Sequence, residues 1–201
     1  MPDSSSQAKR YPLRAVPGFF GNHPGIQIGT TVSPLADDAK LQQLQQLGAE
    51  WAMLNVTDQS LHSVANYKNW IERFARFDIQ IYRICNHSLH NMEAVTLNLE
   101  DFDRKTEEFI TFIRNLGEAG VYYNTYAHMA TGIWSSDSTL GRGGLKARTL
   151  DLSNARGYWD EKEFEGDLPH GRCYTEDELW DNYERFMRKV VPAAEEAGVY
   201  I

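Results

Sequence analysis

Four times the chain closes a helix-like stretch and turns into a short apolar run: Trp51-Ala-Met-Leu-Asn-Val, Ile79-Gln-Ile-Tyr-Arg-Ile-Cys, Val121-Tyr-Tyr-Asn-Thr-Tyr and Val199-Tyr-Ile201. An earlier run, Ile26-Gln-Ile-Gly-Thr-Thr-Val, follows His23-Pro-Gly and reads as the first strand. Strands alternating with helices and joined by short returns must lie parallel, because each crossover is right-handed and packs its helix back on the sheet. The last run is too short to bury its own apolar residues, so the reading expects the N-terminal part of a larger protein.

The helices between the runs have one apolar face each. Leu41, Leu44 and Leu47 precede a stop at Gly48, with Ser33 or Asp37 available to start that helix. Val64, Tyr67, Ile71, Phe74 and Phe77 follow mixed three- and four-residue spacing, as do Phe102, Phe109, Ile113 and Leu116. Asn98 and Asp101 can start the latter, and Gly117 or Gly120 can end it. Thr175-Glu-Asp-Glu178 is a capping box opening a helix that carries Leu179, Tyr183, Phe186, Met187 and Val190. Pro192 inside that pattern predicts a kink. The fold class expected is α/β, a (β/α)8 TIM-barrel type that is incomplete, with roughly the first four β/α units and the start of strand five. An open doubly wound sheet ranks second, since Gly29-Thr-Thr-Val-Ser lacks the spaced glycines of a phosphate turn. Residues 1–10 read as a flexible tail. Residues 11–201 read as part of one barrel domain with a long loop or lid at about 130–174.

A net charge of -8 and no dense Lys/Arg cluster argue against nucleic acid and anionic membranes as partners. No stretch approaches the roughly 20 apolar residues of a membrane helix, and the first residues lack the apolar centre of a secretory signal. The cytoplasm is therefore the expected location, with Cys85 and Cys173 as free thiols.

Barrel enzymes work at the C-terminal ends of their strands. Here those ends offer Thr30 and Thr31, then Asn55 and Thr57, then Arg83, Asn86 and His87, then Asn124, Tyr126 and His128. Amides, hydroxyls and imidazoles on one rim suit a polyhydroxylated acidic substrate, each of whose hydroxyls needs a donor and an acceptor. His87 and His128 could ligate a metal, but their neighbours supply no carboxylate, and a hydrogen-bonding role ranks higher. No metal ligand is assigned. In the long loop, Gly141-Arg-Gly-Gly144 gives backbone freedom, and Arg142, Lys146 and Arg148 bring the cations that a carboxylate requires. Trp134, Tyr158 and Trp159 either cap a sugar ring or pin the loop to the barrel. His62 carries no spacing signal and reads as a surface or loop residue.

Two segments resemble the mannonate dehydratase family. One is Thr106-Glu-Glu-Phe-Ile-Thr-Phe-Ile-Arg-Asn-Leu-Gly-Glu-Ala-Gly-Val-Tyr-Tyr-Asn; the other is Tyr174-Thr-Glu-Asp-Glu-Leu-Trp-Asp-Asn-Tyr-Glu-Arg-Phe with Val191-Pro-Ala-Ala-Glu-Glu-Ala-Gly-Val. The resemblance implies a xylose-isomerase-like barrel that dehydrates D-mannonate to 2-keto-3-deoxy-D-gluconate with Mn²⁺ or Fe²⁺. It implies that the metal ligands and principal acid/base groups lie beyond Ile201, so the chain alone is expected to be inactive. Ile133-Trp-Ser-Ser-Asp137 departs from the family's closely spaced Trp and Arg, the first Arg here being Arg142. The substrate-binding candidates are Asn86, His87, Asn124, Tyr126, His128, Trp134, Arg142 and Arg148. Two alternatives stand beside the dehydratase: a sugar or sugar-phosphate isomerase or epimerase on the same barrel, and a non-catalytic half-barrel whose open edges associate into a homo-oligomer.

Overall fold

A computed structural model describes residues 28–130, 132–159, 162–164 and 172–201. The expected tail at 1–10 and the start of the first strand at Ile26 lie outside the described residues. The order along the chain is β1 (Gly29–Val32), α1 (Asp38–Gln46), β2 (Trp51–Val56), α2 (Val64–Ala75), β3 (Gln80–Asn86), α3 (His87–His90), α4 (Glu93–Thr96) and α5 (Phe102–Ala119). The region expected as a lid follows, and α6 (Glu176–Ala197) comes after it.

β1, β2 and β3 form a parallel sheet in that spatial order. Alternate side chains point to opposite faces. Val32, Ala52, Leu54, Val56 and Ile84 join the core with Leu41, Tyr67, Phe74, Phe109, Ile113 and Phe186 from the helices. Each such large side chain, fully buried, contributes about 1.5–3 kcal/mol. A bulge interrupts the ladder between β2 and β3: Ala52 pairs with Ile81, but Met53 pairs with Arg83, which leaves Tyr82 as the extra residue. Leu54 then pairs with Ile84 and Asn55 with Cys85. The bulge therefore keeps both Ile81 and Ile84 toward the helices, and turns Arg83 and Cys85 to the opposite, barrel-interior face beside Met53.

The runs expected as the fourth and fifth strands meet at a single parallel bridge, Tyr123 with Tyr200. The Asn124 N–H donates to Tyr200 O at 2.8 Å, and the Tyr200 N–H donates to Tyr122 O at 2.9 Å. Both runs leave their helices in the same way. Gly120 and Gly198 have φ of 85° and 67°, and the next N–H in each case, Val121 or Val199, reaches back to Leu116 O or Ala194 O at 2.9 Å. The Tyr82 and Tyr123 rings stack at 6.4 Å, which sets the fourth run alongside β3.

The helix starts follow the sequence closely, with one correction, at Asp101. Asp37, not Ser33, caps α1 by accepting from the Lys40 N–H, and the capping box of Thr175 and Glu178 is complete. Asp101 precedes α5 without a side-chain cap bond, and Gly117 lies inside α5 while Gly120 ends it. α6 continues through Pro192. The region from 130 to 174 is a folded β element over its described part, not a bare loop. β4 (Ile133–Ser135), β7 (Arg156–Trp159) and β8 (Lys162–Phe164) form one antiparallel sheet, and β5 (Thr139–Leu140) pairs with β6 (Lys146–Ala147) around Arg142–Gly144. Strands of two to four residues carry too little alternation to be read from sequence.

His62 lies in the loop between β2 and α2, in keeping with its reading as a surface or loop residue, and is half-buried there, bracing β2 against α2. Its Nε2–H donates to Val56 O at 3.3 Å and its Nδ1 accepts from the Tyr67 hydroxyl at 2.8 Å. Cys85 and Cys173 are free thiols. Among the described residues no helix is long and apolar enough to cross a membrane.

Two predictions follow from this packing. A Cβ on Gly117 would lie 2.4 Å from Ala197 O and 2.9 Å from Ala197 Cβ, so α5 and α6 can approach here only because residue 117 has no side chain. Gly117→Ala gains about 1 kcal/mol of helix propensity but overpacks a backbone contact. We expect a net loss of about 1–2 kcal/mol in urea unfolding; unchanged stability would show that the helices separate freely. Burial holds His62, His90 and His128 below the ordinary histidine value of 6.5. The unfolded chain binds protons near pH 6.5 that the folded chain refuses, so stability rises with pH through the window just below 6.5. A lower urea midpoint at about pH 5.5 than at about pH 7.5 is the expected result, smaller in His62→Phe; equal midpoints would contradict it.

Candidate active site

The C-terminal end of β3 runs directly into α3, and one helical turn places His87 and His90, three residues apart, on the same side. Over them lies the β4–β7–β8 sheet. The cleft between them is about 430 Å³, open to solvent on one side, and is lined by His87, His90, Asn91, Ile133, Ser135, Arg148 and Tyr158. No acid is among these residues.

His90 is oriented by the fourth run. Its Nδ1–H donates to Thr125 O at 3.2 Å, and its own carbonyl accepts from the Ala127 N–H at 2.8 Å. That fixes the tautomer and leaves Nε2 as the basic nitrogen. Burial, and after it the positive charges of Arg83 and His87, holds His90 below 6.5, against the opposing bond to Thr125. At neutral pH the ring is therefore uncharged and able to accept a proton. Asn91 Oδ1 accepts from the Met129 N–H at 3.3 Å and ties α3 to the start of the lid.

Of the eight sequence candidates, only His87 and Arg148 share this cavity. Asn86 is 4% exposed, and its Oδ1 accepts from Gln59 Nε2 at 3.0 Å and Ser88 Oγ at 3.1 Å, bracing the segment after β2. Asn124 is 2% exposed, and its backbone forms the bridge to Tyr200. Tyr126 and His128 turn toward the helices: the Tyr126 ring packs on Phe109 and Phe186, and its hydroxyl donates to His128 Nδ1 at 3.1 Å. His128 Nε2–H donates to Leu179 O at 3.2 Å. Both line a separate, larger and mainly apolar cavity of about 830 Å³ against Leu179, Tyr183 and Met187 of α6. Trp134 alternates on β4 with two cavity residues and so takes the other face of its sheet. Arg142 is exposed in the turn between β5 and β6 and does not line the cavity.

The expectation of one rim failed because strand-end residues divide between two faces, and those facing the helices are already hydrogen-bonded. His90, Asn91, Ser135 and Tyr158 are the residues added by the structure. For Tyr158 the sequence offered its reading as an aromatic that caps a sugar ring or pins the loop, and for His90 its three-residue spacing from His87; Asn91 and Ser135 carried no signal. Among the described residues no three His, Cys, Asp or Glu side chains come together to hold a metal ion.

No protein-family model matches the sequence. The structure is similar to mannonate dehydratase from Streptococcus suis serotype 2 over 87% of this chain and 52% of that one, at TM-score 0.63 and 19% identity. It is also similar to D-psicose 3-epimerase from Clostridium cellulolyticum H10, solved with D-tagatose, over 87% of this chain and 50% of that one, at TM-score 0.51 and 11% identity. The chain spans about half the length of either structure. At these identities the likeness is one of fold: the chain has the architecture of part of an α/β barrel, the scaffold on which those sugar-processing enzymes are built.

Proposed function

We propose that the chain is the substrate-holding part of a mannonate dehydratase-like hydro-lyase acting on a sugar acid. The observation that carries this reading is the cavity beneath the lid, which gathers His87, His90 and Arg148 and has no carboxylate among the described residues of its lining. A cavity with His87, His90 and Arg148 in its described lining suits a carboxylate-bearing ligand, while Asn91 and Ser135 supply hydroxyl partners; Tyr158, also in the lining, donates its hydroxyl to Glu163 on β8 at 3.4 Å. The fold likeness to a mannonate dehydratase points the same way.

In the proposed reaction a base removes the proton on the carbon next to the carboxylate. The carbon–oxygen bond at the following carbon breaks, the hydroxyl leaves as water with a proton from an acid, and the resulting enol becomes a 2-keto-3-deoxy acid. His90 Nε2, uncharged at neutral pH, is placed to take a proton or to orient a substrate hydroxyl. The lid arginine Arg148 screens the anion from above. Mn²⁺ or Fe²⁺, if used, is held by groups outside the described residues. An epimerase would return the proton without loss of water and would suit a neutral ketose; the likeness to D-psicose 3-epimerase supports it, but the basic cavity favours the acid.

The test is the full-length gene product with D-mannonate and Mn²⁺. Formation of a 2-keto-3-deoxy acid is expected, with kcat/KM falling about 10²-fold in His90→Gln. Interconversion of D-fructose and D-psicose with no action on D-mannonate would overturn the dehydratase in favour of the epimerase.

A further inference from the structure

Arg83 projects from the middle of β3 into the barrel interior, two positions before Cys85 on the same face. Among the described residues its guanidinium meets no acid. One terminal nitrogen donates to Met53 Sδ at 3.2 Å and the other to Cys85 Sγ at 3.7 Å, both weak acceptors. Nε is buried without a hydrogen-bond partner, and among the described residues Arg83 makes no ion pair. Arg76, Arg142 and Arg148 also make no ion pair among the described residues, but all three are exposed; the remaining seven are paired. Arg73, Arg104, Arg114, Arg156, Arg172, Arg185 and Arg188 each reach a carboxylate.

A half-buried cation with only sulfur acceptors is an unsatisfied charge, and such groups are retained where an anion completes them. Cys85 lies two residues further along the strand, in the direction of α3 and the mouth, although Arg83 itself is not in the lining of the mouth cavity. Arg83 is close enough to His90 for its charge to disfavour that ring's protonation. Arg148, by contrast, is exposed on the lid, where water weakens any ion pair it forms.

We infer that Arg83 is the specificity-determining receptor for the anionic end of the substrate, and that it, more than the lid arginine, selects a sugar acid over the corresponding neutral sugar. This rests on the sugar-acid reading above. The carboxylate accepts from the Arg83 guanidinium inside the barrel, and the polyol end extends toward His87 and His90. Replacing sulfur acceptors by a carboxylate gives Arg83 charge-assisted bonds in a partly desolvated setting, where they are strongest.

The experiment compares the full-length gene product with its Arg83→Met and Arg148→Met variants by calorimetric titration with D-mannonate, D-mannose and D-mannose 6-phosphate. Wild type is expected to bind D-mannonate and not D-mannose. Arg83→Met is expected to weaken D-mannonate at least about tenfold and to unfold at a temperature no lower than wild type, because an uncompensated charge has been removed; Arg148→Met changes affinity less. Unchanged affinity in Arg83→Met, or a loss greater in Arg148→Met, overturns the assignment to Arg83 and leaves the sugar-acid reading intact. A marked fall in the unfolding temperature of ligand-free Arg83→Met would make Arg83 a structural residue and also overturn it. If wild type prefers D-mannose 6-phosphate and Arg83→Met loses that preference, Arg83 stands as an anion receptor and the sugar-acid reading fails. Failure of wild type to bind either anion overturns both.

Discussion

The bulge at Tyr82 is the constraint on which the rest depends. In a parallel ladder, paired residues share a face, so an unbulged β3 would set Arg83 opposite Leu54, among the side chains that meet the helices. A guanidinium there would face Phe74 and Phe109 with no partner, at a penalty that no single core contact could offset. The extra residue shifts the register once. Ile84 stays in the core, Arg83 and Cys85 enter the interior, and Asn86 ends the strand where Gln59 and Ser88 can meet its side chain. Bulges of this kind re-aim side chains near working sites.

From that register the mouth is assembled by elements that are themselves held from behind. α3 begins where β3 stops, and the fourth run fixes His90 through Thr125. The fourth run is in turn held by α5 and α6, whose rings Phe109 and Phe186 enclose Tyr126 and whose backbones meet at Gly117 and Ala197. Two helices ending in the same left-handed glycine turn bring Tyr123 and Tyr200 side by side. The result is a mouth with His90 uncharged and a cation below it. On the proposed reading, that arrangement is what prefers an anionic ligand to a neutral one.

Much of the scaffold was legible in the chain. The three apolar runs that form β1 to β3, the amphipathic stripes of α2, α5 and α6, and the box at Thr175 and Glu178 each come from a local pattern whose physics is local too. The site was less legible, because a residue at a strand end can go to either face. Tyr126 and His128 read like rim residues, yet each finds its partners in the helix layer. His62 found a carbonyl and a tyrosine that lie on either side of it in the fold. The bulge did leave a trace: Ile79, Ile81 and Ile84 are spaced by two and then three, and the odd step marks where the strand gains a residue. Of the partners of Arg83, Cys85 follows from the two-residue alternation of the strand, while Met53 left no trace, since nothing in the sequence says which residue of β2 would face it across the bulged ladder.

The most direct test of the account is a crystal structure of the full-length gene product grown with D-mannonate. The account predicts the substrate carboxylate on the Arg83 guanidinium inside the barrel, with the hydroxyls running up to His90 beneath the lid. A carboxylate bound only by Arg148, or Arg83 neutralised by an acid from another part of the protein with the sugar elsewhere, would contradict it.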